Sequence, residues 1–324
     1  MTLALALARL AGVRVLVVGD LVLDRMLVGR AARLSREAPI PVLDETRRED
    51  RPGGGVSPAL TVVALGGRAV QAGVVGDDPE GALLRGLVAA QGVGLDAVTV
   101  DPDRPTNVKT RVVAEGFLVF PQQVARLDRV ARGALAPATE AALIAAIGRC
   151  LAAGVDAVIV SDYGAGVASL AVIAAVRAGA GGALLAADAQ TDPARFVGFD
   201  LVKCNQAEAE RAFGGPVGAA AVAAGRDRLG CRMLAVTRGG DSALLAHPGG
   251  VVEAPAANRT AVYDVTGAGD AVIATLATAL ATGAAPDVAL ALAQHAGGVA
   301  VRAWGNQPVT VAALAAAIAA GGLG

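Results

Sequence analysis

Short runs of apolar residues alternate with longer amphipathic stretches along most of the chain. Each run is rich in Val, Leu, Ile and Ala and ends in a glycine or a polar residue, as in Arg14–Asp20 and Ala157–Asp162. Continuous apolar runs of this length are typical of parallel strands buried on both faces, and the stretches between them have the length and periodicity of helices. The pattern predicts an α/β fold, a three-layer α/β/α sandwich around a mostly parallel central sheet.

Two segments depart from this pattern because their polar and apolar residues alternate with a period of two. Residues 106–113 and 122–128 therefore predict strands with one open face, and the two can pair with each other. We expect the segments at about 24–50 and 105–128 to form a small β lid over the strand ends. The apolar stretch Phe117–Pro121 is predicted to be the lid tip or a contact surface.

Composition limits the classes of function. The 324 residues carry 29 acidic and 28 basic side chains, so no excess positive charge favours nucleic acid. Apolar residues make up 54%, yet no uninterrupted span of membrane length and no signal-peptide cleavage pattern occurs. The three cysteines lack the spacing of a zinc site or a disulfide framework. We expect one cytoplasmic domain over residues 1–324 that binds neither nucleic acid nor a membrane.

The candidate chemistry centres on the stretch Asp264–Asp270, which precedes a long alanine-rich helical pattern. Gly267 and Gly269 allow the backbone to approach a ligand closely, and the helix that follows offers unpaired N–H groups and the positive end of its dipole. Asp270 falls in the first helical turn, where a carboxylate beside an anion is suited to take a proton from an attacking hydroxyl. The alternative is an ordinary turn followed by an aspartate that favours the helix dipole.

Further polar residues and glycines follow other predicted strands. Asp20 and Asp24 come after the first strand and suit either the hydroxyl groups of a sugar or simple loop capping. Gly53 and Gly54 form a turn before a helix, without the Gly-Lys-Ser/Thr of a Walker A loop. The stretch Gly164–Ser169 nearly matches a dinucleotide-binding fingerprint but lacks its third glycine, so we do not expect such a cofactor.

Four separated features together resemble the ribokinase/PfkB family of sugar kinases: the Gly53-Gly54 turn, Asn205-x-x-Glu208, Thr237-Arg238-Gly239-Gly240 and the Asp264–Asp270 signature. Within that family the chain is most similar to the D-glycero-D-manno-heptose-7-phosphate kinases, and Ser35–Val42 is the segment most specific to them. The resemblance covers essentially the whole chain. Some of these relatives carry a fused C-terminal nucleotidyltransferase domain, for which residues 1–324 leave no room.

The resemblance implies a ribokinase-like core whose β lid often serves as a dimer contact, so we expect a homodimer through the lid. It implies that ATP and Mg²⁺ are used to phosphorylate a sugar hydroxyl, with a heptose 7-phosphate as acceptor and its anomeric hydroxyl as the reacting group. The product would be a heptose 1,7-bisphosphate. Asp270 would be the general base, and the amides of Gly267, Ala268 and Gly269 would hold the developing phosphate charge.

The other roles are carried over position by position. Glu208 would act on Mg²⁺, through water. The residues expected at the nucleotide are Asn205, Glu208, Thr237, Gly239, Asp264, Thr266 and His295. The residues expected at the sugar phosphate are Asp20, Asp24, Gly53, Gly54, Ser57, Lys109 and Arg111. For the two basic residues the alternative is a solvated strand face, and for the histidine an ordinary helix position.

Three positions depart from the family pattern. Ser57 stands where the family has an asparagine that contacts the sugar, and Gln190 replaces the lysine of an Asp-Pro-Lys sequence near the phosphates. His295 replaces an asparagine near the adenine. The catalytic set is intact while the substrate set is partly rewritten. Two alternatives therefore stay open: a kinase for another sugar, sugar phosphate or nucleoside, and a non-catalytic relative that binds a nucleotide or a sugar.

Overall fold

The computed structural model describes residues 1–116, 121–257, 265–302 and 305–321. Within these ranges the chain forms a nine-stranded sheet with helices on both faces and a separate four-stranded sheet. Two parts of the sequence prediction, Asp264 and the apolar stretch 117–120, lie outside the described residues.

The strands of the described ranges follow the predicted apolar runs in the core and the alternating segments outside it. In chain order they are β1 (Arg14–Gly19), β2 (Leu21–Leu34), β3 (Pro41–Gly54), β4 (Arg68–Gly76), β5 (Gly94–Asp101), β6 (Asn107–Glu115), β7 (Gln122–Arg129), β8 (Ala157–Asp162), β9 (Leu184–Ala189), β10 (Leu201–Asn205), β11 (Met233–Thr237), β12 (Ser242–His247) and β13 (Gly250–Pro255).

The central sheet has the strand order β13-β12-β11-β10-β9-β8-β1-β4-β5. The seven strands from β11 to β5 are mutually parallel, and the hairpin β12–β13 is added antiparallel at one edge. The carboxyl ends of the parallel strands all lie at one edge of the sheet, which is where ligands bind in open α/β sheets.

The helices of the described ranges are α1 (Leu3–Ala8), α2 (Ser57–Ala64), α3 (Pro79–Ala90), α4 (Pro137–Ala152), α5 (Leu170–Gly179), α6 (Gln206–Phe213), α7 (Ala219–Leu229), α8 (Ala268–Ala281), α9 (Pro286–Ala300) and α10 (Val311–Gly321). Buried side chains of α1, α2, α3, α8, α9 and α10 form one core cluster, and those of α4 to α7 form a second. The two clusters occupy opposite faces of the sheet, which confirms the three-layer sandwich. No helix in these ranges is both long and apolar enough to cross a membrane.

Side chains at the helix starts explain where several helices begin. Asp78 accepts a hydrogen bond from the Gly81 amide at 2.7 Å, and Pro79 occupies the first position of α3. Ser169 accepts one from the Val172 amide at 3.1 Å and so begins α5. Ser169 is also the last residue of the stretch that nearly matches a dinucleotide fingerprint. In the structure this residue caps a helix.

The four-stranded sheet, which we call the lid sheet, has the order β3-β2-β6-β7. Strands β2 and β3 form a long antiparallel hairpin, β6 runs parallel to β2, and β7 pairs antiparallel with β6. The sequence predicted the pairing of β6 with β7, and that prediction is confirmed. It did not predict that β2 follows β1 after a single residue, Asp20. That this sheet closes over a ligand stays a prediction.

Asp20 fixes the point at which the lid sheet leaves the core. Its Oδ2 accepts hydrogen bonds from the amides of Tyr163 and Ala165, and its Oδ1 accepts one from Val167, each at 3.0 Å. Burial raises the pKa of this carboxyl although the three amides oppose the shift. The sequence predicted a sugar contact for Asp20. The structure instead commits both of its oxygens to the backbone after β8, and the sugar contact stays a prediction.

Candidate active site

The first turn of α8 lies at the carboxyl edge of the central sheet. Gly267 precedes the helix with φ +81°, a conformation that glycine adopts at no steric cost. The side chain of Asn306 packs directly against it, because a Cβ added at Gly267 would lie 2.0 Å from Asn306 Oδ1. Position 267 therefore requires glycine for two reasons, the positive φ of its backbone and the close contact with Asn306. The Ala268 amide donates to the Val265 carbonyl at 3.3 Å, and a helix N-terminus generally favours an anion because its first amides have no partner inside the helix.

A cavity of about 450 Å³ opens beside this turn, a volume suited to a small-molecule ligand. Its lining includes Thr237, Gly239, Val265, Ala268, Gly269 and Gln294. The structure thus brings together four predicted residues from the ends of β11 and α8. Gln294 was not predicted, and its Nε2 donates to the Ala254 carbonyl at 3.3 Å.

His295 lies outside the lining of this cavity. It borders a smaller neighbouring cavity of about 290 Å³ together with Gly321 and Pro255. A Cβ added at Gly321 would lie 2.8 Å from His295 Cε1, so α10 packs closely on the imidazole. Burial lowers the pKa of His295, which favours its neutral form. A role for His295 in nucleotide binding stays a prediction.

Asp270 is buried in the first turn of α8, with 4% of its surface exposed. The Tyr163 hydroxyl contacts both carboxylate oxygens, at 2.8 and 3.0 Å. Burial, reinforced by the charge of Asp188, raises the pKa of Asp270 from 3.8 to about 7, while Lys203 and the Tyr163 hydrogen bond oppose that rise. A carboxyl group with a pKa near neutrality can accept and release a proton under physiological conditions, as a general base must.

Tyr163 connects the carboxyl group to the lid sheet, and the sequence did not predict this role. Lys109, on β6, places its Nζ 5.1 Å from the centre of the Tyr163 ring, within cation–π range. The side chain of Gln190 also hydrogen-bonds to Tyr163. Burial raises the pKa of the phenol well above 10. The hydroxyl therefore stays protonated and can donate a hydrogen bond to Asp270.

Asp24, Gly53, Lys109 and Arg111 converge where the lid sheet approaches Asp270. Arg111 Nη1 donates to Asp24 Oδ1 at 2.6 Å, and a Cβ added at Gly53 would lie 2.0 Å from Asp24 Oδ2. Lys109 is partly buried and forms no salt bridge with any described residue. Burial lowers its pKa, and Asp24 counteracts this. Arg111 is thus paired within the protein, whereas the Lys109 ammonium is available to an anionic ligand.

Ser57 is buried at the start of α2 and accepts a hydrogen bond from the side-chain amide of Asn306. Asn306 therefore lies between Ser57 and Gly267, on the boundary between the glycine turn of β3 and the first turn of α8. The expected asparagine is absent at position 57, but an asparagine from a distant part of the chain occupies the same neighbourhood. Sequence reasoning missed Asn306, because only the fold brings it there.

Asn205 and Glu208 form a capping box at the start of α6. Asn205 Oδ1 accepts from the Glu208 amide at 2.9 Å, and Glu208 Oε2 accepts from the Asn205 amide at 2.7 Å. Burial raises the pKa of Glu208. No three His, Cys, Asp or Glu side chains of the described residues are grouped to hold a metal ion. A lone, partly exposed carboxylate fits Mg²⁺, which keeps most of its water and phosphate ligands.

A ribokinase-like α/β core with a buried aspartate at a helix N-terminus defines a class of phosphotransferase. The chain belongs to the pfkB family of carbohydrate kinases, whose sequence pattern matches residues 14–312. Membership in this family makes the protein a kinase that acts on a sugar hydroxyl.

Proteins similar in sequence to the chain include longer ones. The chain is 40% identical over 319 residues to the bifunctional protein HldE of Caulobacter vibrioides, covering 94% of this chain and 63% of that relative. It is 38% identical over 311 residues to the bifunctional protein HldE of Gluconacetobacter diazotrophicus, covering 93% and 63%. The chain thus spans less than two thirds of the length of these relatives.

Solved structures of low sequence identity share the fold. The phosphofructokinase-2 from Escherichia coli in complex with substrates and products superposes with a TM-score of 0.76 at 18% identity, covering 96% of this chain and 99% of that one. The Arabidopsis thaliana ribokinase complexed with ribose and ATP gives a TM-score of 0.70, also at 18% identity, with coverages of 95% and 99%. These likenesses confirm the ribokinase-like fold.

Tyr163→Phe is expected to move the acidic limb of the pH–rate profile to higher pH by roughly one unit. The hydroxyl donates to Asp270 and stabilises its charged form, so its removal raises the pKa of that carboxyl further. The measurement is kcat against pH for the sugar-kinase reaction.

Ser161→Ala is the matched control for this substitution. Ser161 is buried on the same strand end, and its Oγ has no hydrogen-bond partner among the described residues. The control should keep the wild-type profile. An acidic limb that stays in place in Tyr163→Phe would contradict the coupling between the tyrosine and Asp270.

Proposed function

We propose that this kinase transfers the γ-phosphoryl group of ATP to the anomeric hydroxyl of a heptose 7-phosphate, giving a heptose 1,7-bisphosphate. The observation that carries the proposal is the placement of Asp270. Its carboxyl group, with a pKa raised to about 7, directly follows Gly269, which lines the 450 Å³ cavity, and contacts the Tyr163 hydroxyl, over whose ring the Lys109 ammonium lies. A nucleotide on one side and an anionic sugar on the other would meet at this carboxylate.

Asp270 acts as the general base in this proposal. Its ionised form accepts the proton of the acceptor hydroxyl as the oxygen attacks the γ-phosphorus and the bond to ADP breaks. Tyr163 holds the carboxylate in one orientation through contacts with both oxygens. The amides of Gly267, Ala268 and Gly269 hold the charge that develops on the transferred group.

The nucleotide is assigned to the cavity lined by Thr237 and Gly239, with its phosphates toward the first turn of α8. Asn205 and Glu208 would organise Mg²⁺ and its water ligands at the phosphates, Glu208 through water. When bound, the metal neutralises phosphate charge. Thr266 is assigned to the same side through its place in the turn. Asp264 keeps its predicted nucleotide role as part of the proposal.

The phosphate of the acceptor is assigned to Lys109. A half-buried ammonium without a salt bridge to any described residue is costly unless a ligand supplies the opposite charge. Asp24, positioned by Arg111 and packed on Gly53, would accept hydrogen bonds from sugar hydroxyls. Gly54 and Ser57 continue this surface. The similarity to part of the HldE proteins, over 63% of their length, favours a heptose phosphate among the possible acceptors.

The decisive experiment is ADP release with Mg-ATP against a panel of sugars, nucleosides and sugar phosphates that includes heptose 7-phosphate. We expect turnover with heptose 7-phosphate and a loss of at least about 100-fold in Asp270→Asn, with ATP binding retained. Turnover confined to another acceptor would replace the substrate assignment. Nucleotide or sugar binding without turnover on any acceptor would favour the non-catalytic alternative.

Asp270→Asn also carries a stability prediction. Folding raises the pKa of this carboxyl from 3.8 to about 7, so the folded state holds the proton more tightly than the unfolded state. Relative to the variant, the free energy of unfolding of the wild type must then fall as the pH rises from about 4 through about 7. At pH 8 we expect Asn to stabilise the protein by on the order of 1–3 kcal/mol, measured by urea denaturation.

Lys109→Met is expected to raise KM for a phosphorylated acceptor roughly 10- to 100-fold while KM for ATP stays unchanged. This rise in KM is expected because the variant loses one charge-assisted contact to the acceptor phosphate. Arg33→Met is the control, since it removes an exposed cation from the same lid sheet. Equal KM changes for a phosphorylated and an unphosphorylated acceptor would contradict the assignment of Lys109.

A homodimer through the lid sheet is the second part of the proposal. All eight residues of β7 are exposed although it is an edge strand with an open row of backbone groups. Leu127 on this strand is 64% exposed, and Leu34 and Ile40 near the β2–β3 turn are also exposed. A second copy of the lid sheet would cover both the open edge and these apolar side chains.

Leu127→Glu is expected to convert the dimer to a monomer, because it places a charge in the proposed contact. The measurement is mass by light scattering after size-exclusion chromatography. Leu170→Glu is the control. Leu170 is 70% exposed at the start of α5, a helix that packs on the central sheet and lies outside the lid sheet. A wild-type monomer, or a dimer that both variants retain, would remove the lid sheet as the contact.

A further inference from the structure

The ion pair between Lys203 and Asp188 is buried, and neither residue contacts a substrate in the mechanism described above. The two residues are register partners on the adjacent parallel strands β10 and β9. Lys203 Nζ lies 3.0 Å from Asp188 Oδ1 and 2.9 Å from Oδ2, and the side chains are 5% and 1% exposed. Desolvation makes a buried ion pair a poor source of stability, and an apolar pair of similar volume often serves as well. The pair therefore calls for a functional explanation.

Lys203 lies directly beneath the first turn of α8. A Cβ added at Gly269 would be 2.8 Å from Lys203 Nζ but 4.0 Å from Asp188 Oδ2. The ammonium is thus on the side of the pair that faces the helix, with the carboxylate behind it. The two charges form a dipole whose positive end points at the helix turn that would hold the transferred phosphoryl group.

The choice of lysine at this position is informative. Only two of the 28 basic residues in the chain are lysines, Lys109 and Lys203, and both lie at the candidate active site. The contact with Gly269 leaves no room for the wider, planar guanidinium of an arginine. Of the two lysines, Lys203 is the one that lies against the backbone of the first turn of α8.

The groups around Lys203 keep its charge in place. Burial alone would lower its pKa, but the carboxyl groups of Asp188, Asp270 and Glu208 act in the opposite direction and the pKa is raised. Lys203 therefore stays protonated throughout the pH range in which Asp270 titrates. Its donor groups are directed at Asp188, so the ammonium is oriented before any substrate arrives.

We propose that the buried Lys203–Asp188 pair is a fixed dipole that stabilises the negative charge of the phosphoryl group during its transfer. The dipole acts through space and through the Gly269 backbone, and it adds to the amides of the same turn. Lys203 neither gives up a proton nor forms a bond to the substrate. Its role is to hold a positive charge in a fixed place beneath the first turn of α8. This role rests on the proposed phosphoryl transfer at that turn.

The test removes both charges at once, in Lys203→Met/Asp188→Asn. A single substitution would leave one charge buried without its partner and destabilise the protein for that reason alone. In the double variant we expect unchanged or higher thermal stability, an unchanged KM for the acceptor, and a kcat reduced roughly 10- to 100-fold. The loss is expected to be smaller than the ~10²–10³-fold that removal of a directly bonded oxyanion donor costs.

A second measurement does not depend on the acceptor. The dissociation constants of ADP and of β,γ-imido-ATP are compared by calorimetry for the wild type and the double variant. We expect ADP to bind both proteins equally and the γ-phosphate analogue to bind the double variant several-fold more weakly. Arg14→Met/Asp156→Asn is the control, because it neutralises an ion pair at the opposite edge of the sheet.

The outcomes separate the two proposals. A double variant with wild-type kcat and a wild-type ratio of the two dissociation constants would show that the pair is structural and overturn the inference. A wild type that phosphorylates no sugar but prefers the γ-phosphate analogue through this pair would overturn the proposed function alone. A wild type that binds neither nucleotide would overturn both.

Discussion

The first turn of α8 brings together three electrostatic demands that conflict with one another. The N-terminus of the helix favours an anion, its side chain Asp270 is a buried carboxyl group, and the ammonium of Lys203 lies against its backbone. A carboxylate beside a phosphate is repelled, and a buried ammonium loses its hydration. Each charge is tolerable because the others are present. Asp188 neutralises Lys203, and the Tyr163 hydroxyl partly compensates Asp270 for its burial.

Features that are local in sequence were predictable. The apolar runs of β1 and β8, the hairpin β12–β13 and the turn before α8 each lie within a short stretch whose residue types determine its backbone. The spacing of Asn205 and Glu208 likewise suits a capping box, although the sequence suggested only a ligand role for them. Helix α1 was not predicted, because it has only six residues.

The contacts that define the site were not predictable, since they join distant positions. Tyr163 and Asp270 are 107 residues apart, Asp24 and Arg111 are 87 apart, and Ser57 and Asn306 are 249 apart. A sequence indicates which residues follow a strand but not which strand ends become neighbours in the sheet. Lys203 was missed for a related reason. It sits inside an apolar run, where its partner on the adjacent strand is visible only once the strand order is known.

The direct passage from β1 into β2 has a mechanical consequence. Because only Asp20 separates the two strands, the lid sheet is joined to the central sheet here without a flexible linker. The carboxylate of Asp20 holds the backbone of 163–167, the loop that carries Tyr163. A displacement of the lid sheet at Asp20 would therefore be passed to the loop that carries Tyr163 and, through the Tyr163 hydroxyl, to Asp270.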